Sequence, residues 1–190
     1  MRRTPDMLRA ARLAYRVLAA QEISTLPVDP LRLLRSCRDT AVFTSADAAD
    51  ILNIKEAKLD RLFAVSEAVT FLDTGEGAAR YIVLYRPGGN PARLRFTLAH
   101  ELGHRVLGHR TREPADEREA DCFASHLLCP QPVLTCVDTP GELATACYVS
   151  LSCAKAAFRR VAYREEGDAL RRVEQLLSGS GFGGTPPKDE

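Results

Sequence analysis

The chain has 190 residues, a length that fits one domain with a small appendage, and its formal net charge of +1 gives no global excess of positive charge that would favour a nucleic-acid partner. Hydrophobic residues make up 45% of the sequence, and no run of about 18 apolar residues could span a bilayer. These values exclude a membrane-embedded protein and disfavour a histone-like role. The N-terminus shows no signal-peptide pattern, so we expect a cytoplasmic protein whose six cysteines are reduced thiols.

The first half of the chain predicts a helical region followed by a small sheet. Helical spacing of apolar residues predicts a helix over 6–20, and Asp29 with Pro30 forms a helix-starting pair for a second, short helix. β-branched and aromatic runs predict strands at 41–44, 69–72 and 80–85, of which the last two form a hairpin. Between the first two strands, Ser45 is the predicted cap of a helix that reaches residue 51, and a further short helix is predicted over 55–63.

The second half predicts helices. One is expected from Ala92 to Gly108 and another over 114–128, where Pro130 closes it and a loop follows. Two more are expected over 141–147 and from Ser150 to about residue 164 or, beyond Gly167, to 177, and the Gly-rich and Pro-rich end is expected to be disordered. We therefore predict an α+β protein divided into a main domain over 1–132, a helical, helix-turn-helix-like subdomain over 133–177 and a tail over 178–190.

The residues that carry chemistry lie in the helix that starts near Ala92. His100, Glu101 and His104 form an H-E-x-x-H motif, which places the two imidazoles on one helical face, about 40° and one turn apart. Both histidines can therefore reach one metal ion. A catalytic zinc site needs a third protein ligand and an open position for water.

The next helix offers that third ligand. Glu117 and Asp121 are four residues apart and share a face with small and apolar residues that should turn toward the core. Because a buried carboxylate needs a charged partner or a metal ion, we assign Glu117 as the third ligand and Asp121 as the acceptor that orients a ligand histidine.

The other polar residues nearby receive different expectations. Glu119 points about 160° to 200° away from Glu117, so we expect an ordinary solvent-facing charge. His126 is expected on the opposite side of the same helix, and His109, which follows the Gly108 stop, is not chosen as a ligand although it could line the cleft. A chance H-E-x-x-H beside a charged, solvated helix is the alternative that involves no metal.

These parts predict peptide-bond hydrolysis with one zinc ion per chain. A zinc ion with three protein ligands lowers the pKa of its water toward about 7, and Glu101 can take the proton as catalytic base and later deliver it to the leaving amine. The tetrahedral oxyanion that forms during hydrolysis needs a further hydrogen-bond donor, for which the sequence offers four candidates. They are His109, Tyr81, Tyr85 and Tyr148.

These motifs resemble those of the ImmA/IrrE family of zinc metallopeptidases. The family pattern R-F-T-x-A-H-E-x-x-H corresponds here to residues 95–104, and its E-x-x-x-[ND]-x-[FA]-A-x-x-L-L-x-P segment corresponds to residues 117–130. Carry-over by motif gives His100, His104 and Glu117 as ligands and Glu101 as base. Three features depart from the pattern: Cys129 stands where the family usually has Met, and both the N-terminal helix and the Gly-rich tail lie outside it.

The resemblance implies a metallopeptidase domain over 1–132 and a protein substrate, typically a helix-turn-helix repressor of a mobile element or a stress regulon. Two alternatives stay open. Residues 142–161 could form a DNA-binding helix-turn-helix with Arg159, Arg160 and Arg164 as phosphate contacts, although the acidic residues that follow disfavour direct nucleic-acid binding. The chain could also be a regulatory module with a structural zinc and no turnover, which would keep its function after Glu101→Gln.

Overall fold

The computed structural model describes residues 4–73, 75, 80–162 and 167–179. The predicted α+β class is confirmed. The elements in chain order are α1 (Met7–Ala20), α2 (Pro30–Arg35), β1 (Thr40–Thr44), α3 (Ser45–Ile51), a 3-10 helix (Glu56–Phe63), β2 (Ala68–Asp73), β3 (Arg80–Tyr85), α4 (Pro91–Leu107), α5 (Pro114–Leu128), α6 (Gln131–Leu134), α7 (Pro140–Cys147), α8 (Leu151–Phe158), a second 3-10 helix (Arg159–Ala162) and α9 (Asp168–Ser178). No helix among the described residues combines the length and the apolar character needed to cross a membrane.

The sheet has three strands in the order β1-β3-β2. Strand β2 runs antiparallel to β3, as the predicted hairpin requires, and β1 pairs with β3 in parallel. Successive side chains of a strand point to opposite faces. Val83 and Tyr85 accordingly join the main core, whereas Leu84 joins a smaller apolar cluster under α3 and the first 3-10 helix.

Helix α4 lies at the centre of the molecule. It packs against β2 and β3 on one side and against α1, α2 and α5 on others, so its buried residues include Leu98, Leu102 and Leu107 as well as Glu101 and His104. Asn90 caps its first turn by accepting a hydrogen bond from the Arg93 amide, and Gly108 ends it in the left-handed conformation at φ 72°. The predicted small sheet on a central H-E-x-x-H helix is therefore confirmed.

Four local predictions need correction. Thr44, one residue before the predicted Ser45, caps α3, because its hydroxyl and the Asp47 carboxylate form a reciprocal capping box. The helix predicted over 55–63 is a 3-10 helix, the loop predicted after Pro130 contains α6, and the helix that starts after Ser150 changes to 3-10 geometry at Arg159. The predicted tail lies outside the described residues from 180 onward, and the domain boundary at 132 stays a prediction.

Half-buried Arg95 ties α4 to two distant segments. Its guanidinium donates to the backbone carbonyls of Val28 at 2.6 Å and Tyr148 at 3.1 Å. Burial lowers the pKa of Arg95 below its ordinary value. The N-terminal turn after α1 and the turn after α7 are thus fixed to the helix that carries the motif.

Close packing of α4 on α5 predicts the effect of adding one methyl group. A Cβ at Gly103 would meet Phe123 Cδ1 at 3.1 Å and the Ala120 backbone at 3.2 Å, which would push the two helices apart. Overpacking costs about 1–3 kcal/mol, whereas Ala in place of helical Gly gains about 1 kcal/mol. We expect Gly103→Ala to lower the free energy of unfolding of the metal-free protein by about 1 kcal/mol in urea titrations.

Gly141→Ala is the matched control, because a Cβ at Gly141 has no neighbour closer than 3.8 Å among the described residues. This control should leave the free energy of unfolding unchanged or raise it. A gain in stability for Gly103→Ala would contradict the prediction and show that the α4–α5 contact can accommodate a methyl group.

Candidate metal centre

Helix α4 directs His100 and His104 toward one point. The two residues are one turn apart, and their Nε2 atoms lie 2.9 Å from each other. His104 is 4% exposed, while His100 lies closer to the surface. The motif therefore brings two imidazole nitrogens together at the edge of the core.

Glu117 of α5 completes this cluster. Its Oε2 lies 3.3 Å from His100 Nε2, and its Oε1 lies 3.4 Å from His104 Nε2. One ligand atom from each of the three residues falls within 4.8 Å of the other two. Among the described residues, these three side chains form the group that could hold a metal ion.

The donor set fits a divalent ion. Tetrahedral zinc with bonds of about 2.0–2.1 Å requires ligand atoms about 3.3 Å apart, and the separations here are close to that value. In the described part of the chain, Glu117 Oε1 is also a buried oxygen that accepts no hydrogen bond. A cation between these atoms would bind a buried oxygen to which the described residues donate no hydrogen bond.

Asp121 lies behind the first histidine of the cluster. Its Oδ1 is 2.9 Å from His100 Nδ1. Because an ionised carboxylate only accepts hydrogen bonds, Nδ1 of His100 carries the proton and donates it, and Nε2 of the neutral ring keeps its lone pair for a metal. The structure thus places Asp121 in contact with His100, and its role in orienting a metal ligand stays a prediction.

Glu117 and Asp121 do not lie on the core-facing side of α5, contrary to the prediction. Their side chains are 38% and 59% exposed, so they line an open edge of α5 and do not face the core. The core-facing carboxylates are Asp116 and Glu119. Both sides of α5 are covered, by α4 and by α1, so a single apolar stripe does not describe its buried surface.

The expectation that Glu119 is a solvent-facing charge is wrong. Glu119 is 0% exposed, its Oε1 accepts from the Asp6 amide at 2.8 Å and its Oε2 lies 3.0 Å from His109 Nε2. His109 in turn contacts His104, with 3.0 Å between their Nδ1 atoms. The turn at Gly108 makes this contact possible, because it returns the chain toward the helix.

Glu101 is buried beside the cluster and is paired with an arginine that sequence analysis did not single out. Glu101 is 1% exposed, and Arg112 Nη2 donates to its two carboxylate oxygens at 3.2 and 2.9 Å. Arg112 comes from the short connection between α4 and α5. The sequence signal was weak, since arginines are common in such connections.

A small cleft of about 150 Å³ opens next to the second histidine. Its lining combines Tyr81, His104, His109 and Arg112 with Thr70 and Leu72 of β2. Two of the four oxyanion candidates therefore lie at this cleft. The other two do not: Tyr85 is buried in the main core, and Tyr148 stacks against Arg95.

The pKa values of the two motif histidines, His100 and His104, are shifted in opposite directions because their surroundings differ. Burial opposes charge on His100, but its contacts with Asp121 and Glu117 raise its pKa to about 9. Burial and the neighbouring His100 lower the pKa of His104 to about 4. The contact with His100 also lowers the pKa of Glu117. Without a metal, His100 is therefore positively charged at pH 7, with protons on both ring nitrogens. Binding of a metal ion at Nε2 must release the proton there.

His126 and Arg160 lie away from this cluster. His126 Nδ1 donates to the Cys122 carbonyl at 2.9 Å, and burial and nearby Arg160 lower the pKa of His126 to about 4. Arg160 donates to the carbonyls of Ser125 and Cys129 at the end of α5. It is therefore engaged within the protein, and Arg164 lies outside the described residues.

Two histidines one turn apart and a glutamate from the following helix form a His₂Glu donor set, which defines the class of metal sites found in catalytic zinc proteins. Comparison with known protein families agrees with this class of site. Residues 50–140 match a peptidase family model described as the IrrE N-terminal-like domain. This segment is therefore similar to the IrrE N-terminal-like domain, which confirms the resemblance to the ImmA/IrrE family and supports a metallopeptidase-type function. No curated protein matches the chain.

Proposed function

We propose that this protein is a zinc-dependent endopeptidase that hydrolyses a peptide bond in a specific protein partner. The convergence of His100, His104 and Glu117 beside buried Glu101 is the observation that carries the proposal. These three residues would hold the ion, with Asp121 orienting His100. When bound, zinc supplies Lewis acidity that lowers the pKa of water and polarises a carbonyl.

Glu101 has the position of the catalytic base. Its carboxylate accepts a proton from the attacking water as the new C–O bond forms, and it delivers that proton to the amide nitrogen as the C–N bond breaks. Arg112 holds both carboxylate oxygens from one side and so fixes their orientation. Tyr81, which lines the adjacent cleft, is the donor that we assign to the oxyanion.

We also propose a narrow substrate range, with a helix-turn-helix repressor of a mobile element or stress regulon as the substrate. The small cleft and the guanidinium of Arg112 beside Glu101 support restricted access. The repressor rests on the family resemblance. A reducing, cytoplasmic setting is supported by the cysteines, all six of which are described and form no disulfide with one another.

Metal content and cleavage measured on the same preparation test this proposal. Protein purified without chelators should carry about one zinc per chain, and it should cleave a helix-turn-helix repressor from the same genome at one defined bond, identified by mass spectrometry. Removal of the metal with 1,10-phenanthroline should abolish cleavage, and added zinc should restore it. Bound zinc without cleavage of any such repressor or of a peptide library would favour the regulatory module with a structural zinc.

A further inference from the structure

A continuous line of hydrogen-bonding groups runs from buried Glu119 to the metal cluster. Glu119 Oε2 lies 3.0 Å from His109 Nε2, the Nδ1 atoms of His109 and His104 are 3.0 Å apart, and His104 Nε2 faces His100 and Glu117. The side chains of Glu119 and His109 are 0% and 5% exposed. The Glu119–His109 end of this line is therefore shielded from bulk water.

The direction of each proton follows from the chemistry of the groups. A carboxylate only accepts hydrogen bonds, so Nε2 of His109 must carry the proton that points at Glu119. Nδ1 of neutral His109 is then an acceptor, and the proton between the two rings must sit on Nδ1 of His104. Nε2 of His104 is left with a lone pair directed at the cluster.

The charge at the outer end of this line is held by the N-terminal region. Glu119 Oε1 accepts from the Asp6 amide at 2.8 Å, and Arg9 Nη1 lies 3.9 Å from Oε2. Asp116, a second buried carboxylate, lies 3.8 Å from His109 Nε2 and accepts a hydrogen bond from the Thr111 hydroxyl at 2.7 Å. Every group that faces His109 Nε2 in these contacts is an acceptor, which favours the same tautomer.

We infer that His109 and Glu119 are positioning residues that fix His104 in the tautomer able to bind metal through Nε2. The inference rests on the proposed role of His104 as a metal ligand, and it assigns the buried carboxylate of Glu119 a purpose that its packing does not explain. Hydrogen bonds of this kind orient ligand histidines and typically change metal affinity by about 10–100-fold when removed.

Glu119→Gln tests the inference with little change in shape. The Asp6 amide requires the side-chain oxygen on its side, so the new NH₂ group must face His109 Nε2 and donate to it. Asp116 lies 3.8 Å from His109 Nε2, too far to accept a hydrogen bond, so each ring should then reverse its tautomer. The proton of His104 moves to Nε2, where it blocks the metal, as an amide does when it replaces the carboxylate behind a catalytic histidine. We expect zinc affinity, measured by competition with a chelator of known affinity, to fall about 10–100-fold.

His109→Gln distinguishes a positioning role, which acts through hydrogen bonds, from simple packing of the ring. The amide group that this change introduces can donate to Glu119 and accept from His104 Nδ1, so a positioning role predicts that zinc affinity is largely retained. A role confined to ring packing predicts a loss in this variant and none in Glu119→Gln. His126→Gln is the control and should keep wild-type affinity, because it changes a half-buried histidine whose Nδ1 bonds to the Cys122 carbonyl, away from the cluster.

The tautomer can also be read directly, which keeps the test valid if a variant does not fold. Long-range ¹H–¹⁵N spectra of the metal-free wild-type protein should show His104 protonated on Nδ1. Protonation on Nε2, or unchanged zinc affinity in a folded Glu119→Gln variant, would overturn the inference. Absence of zinc binding by the wild-type protein would instead overturn the proposed function and leave the tautomer result to stand by itself.

Discussion

Replacement of Glu101 by Gln is expected to leave about one zinc per chain and to lower the rate of peptide hydrolysis by about 10²–10⁴-fold, the contribution typical of a general base. An amide cannot accept the proton of the attacking water, whereas it can still accept a hydrogen bond from Arg112. Since Glu101 is 1% exposed and paired in place, the isosteric change should disturb the fold little. Zinc content and the initial rate of substrate cleavage are measured on the same sample.

Glu67→Gln is the matched control for this change. Glu67 is also a carboxylate paired with an arginine, since its Oε1 lies 2.8 Å from Arg93 Nε, and Arg93 belongs to α4 about two turns before the motif. Glu67 Oε2 also accepts from the Thr97 hydroxyl at 3.4 Å, on the turn of α4 that precedes the motif. This variant should keep both zinc and activity. If Glu101→Gln cleaves as fast as the wild type with zinc retained, Glu101 is not the base.

Glu117→Ala is expected to abolish stoichiometric zinc binding. It removes one of three protein ligands, and the expected loss of affinity exceeds the roughly 100-fold that loss of an outer hydrogen-bonding partner can cause. The variant loses the contact of Glu117 Oε2 with His100, but the side chain is 38% exposed and solvent screens that contact, so the cost to the metal-free fold should be small. Zinc per chain after dialysis and the midpoint of chelator competition measure the effect.

Glu113→Ala provides a carboxylate control from the start of the same helix. Glu113 is exposed at the N-cap of α5, and its side chain makes no capping hydrogen bond. The zinc content of this variant should equal that of the wild type. Equal zinc loss in both variants would mean that general negative charge near α5, and not ligation by Glu117, holds the ion.

Local signals predicted the elements that carry the site. The β-branched runs predicted the three strands and the β2–β3 hairpin, and Gly108 predicted the end of α4, because each signal acts within a few residues of itself. The parallel pairing of β1 with β3 was not predicted, since it joins strands that are distant in the chain. Thr44 in place of Ser45 as a cap shows the limit of such signals. Both residues can cap a helix, and only the reciprocal bond with Asp47 decides between them.

The burial of α5 could not be predicted in the same way. Its face was inferred from one apolar stripe, but α1 covers a second side, so Glu119 is buried while Asp121 is exposed. Coverage by α1 depends on residues more than 100 positions away in sequence, including the Asp6 amide that binds Glu119. No pattern within α5 contains that information.

The sequence by itself determined the chemistry available to this protein: the spacing of His100, Glu101 and His104 follows from helical geometry alone, and Glu117 was selected by its position in the next helix. Only the tertiary structure decided which groups surround those residues. It placed Arg112 on Glu101 and the His109–Glu119 pair behind His104, because these contacts depend on how α1, α4, α5 and the turn at Gly108 pack together. Ligand spacing is a local property of one helix, whereas proton positions and burial are set by neighbours that are distant in the chain.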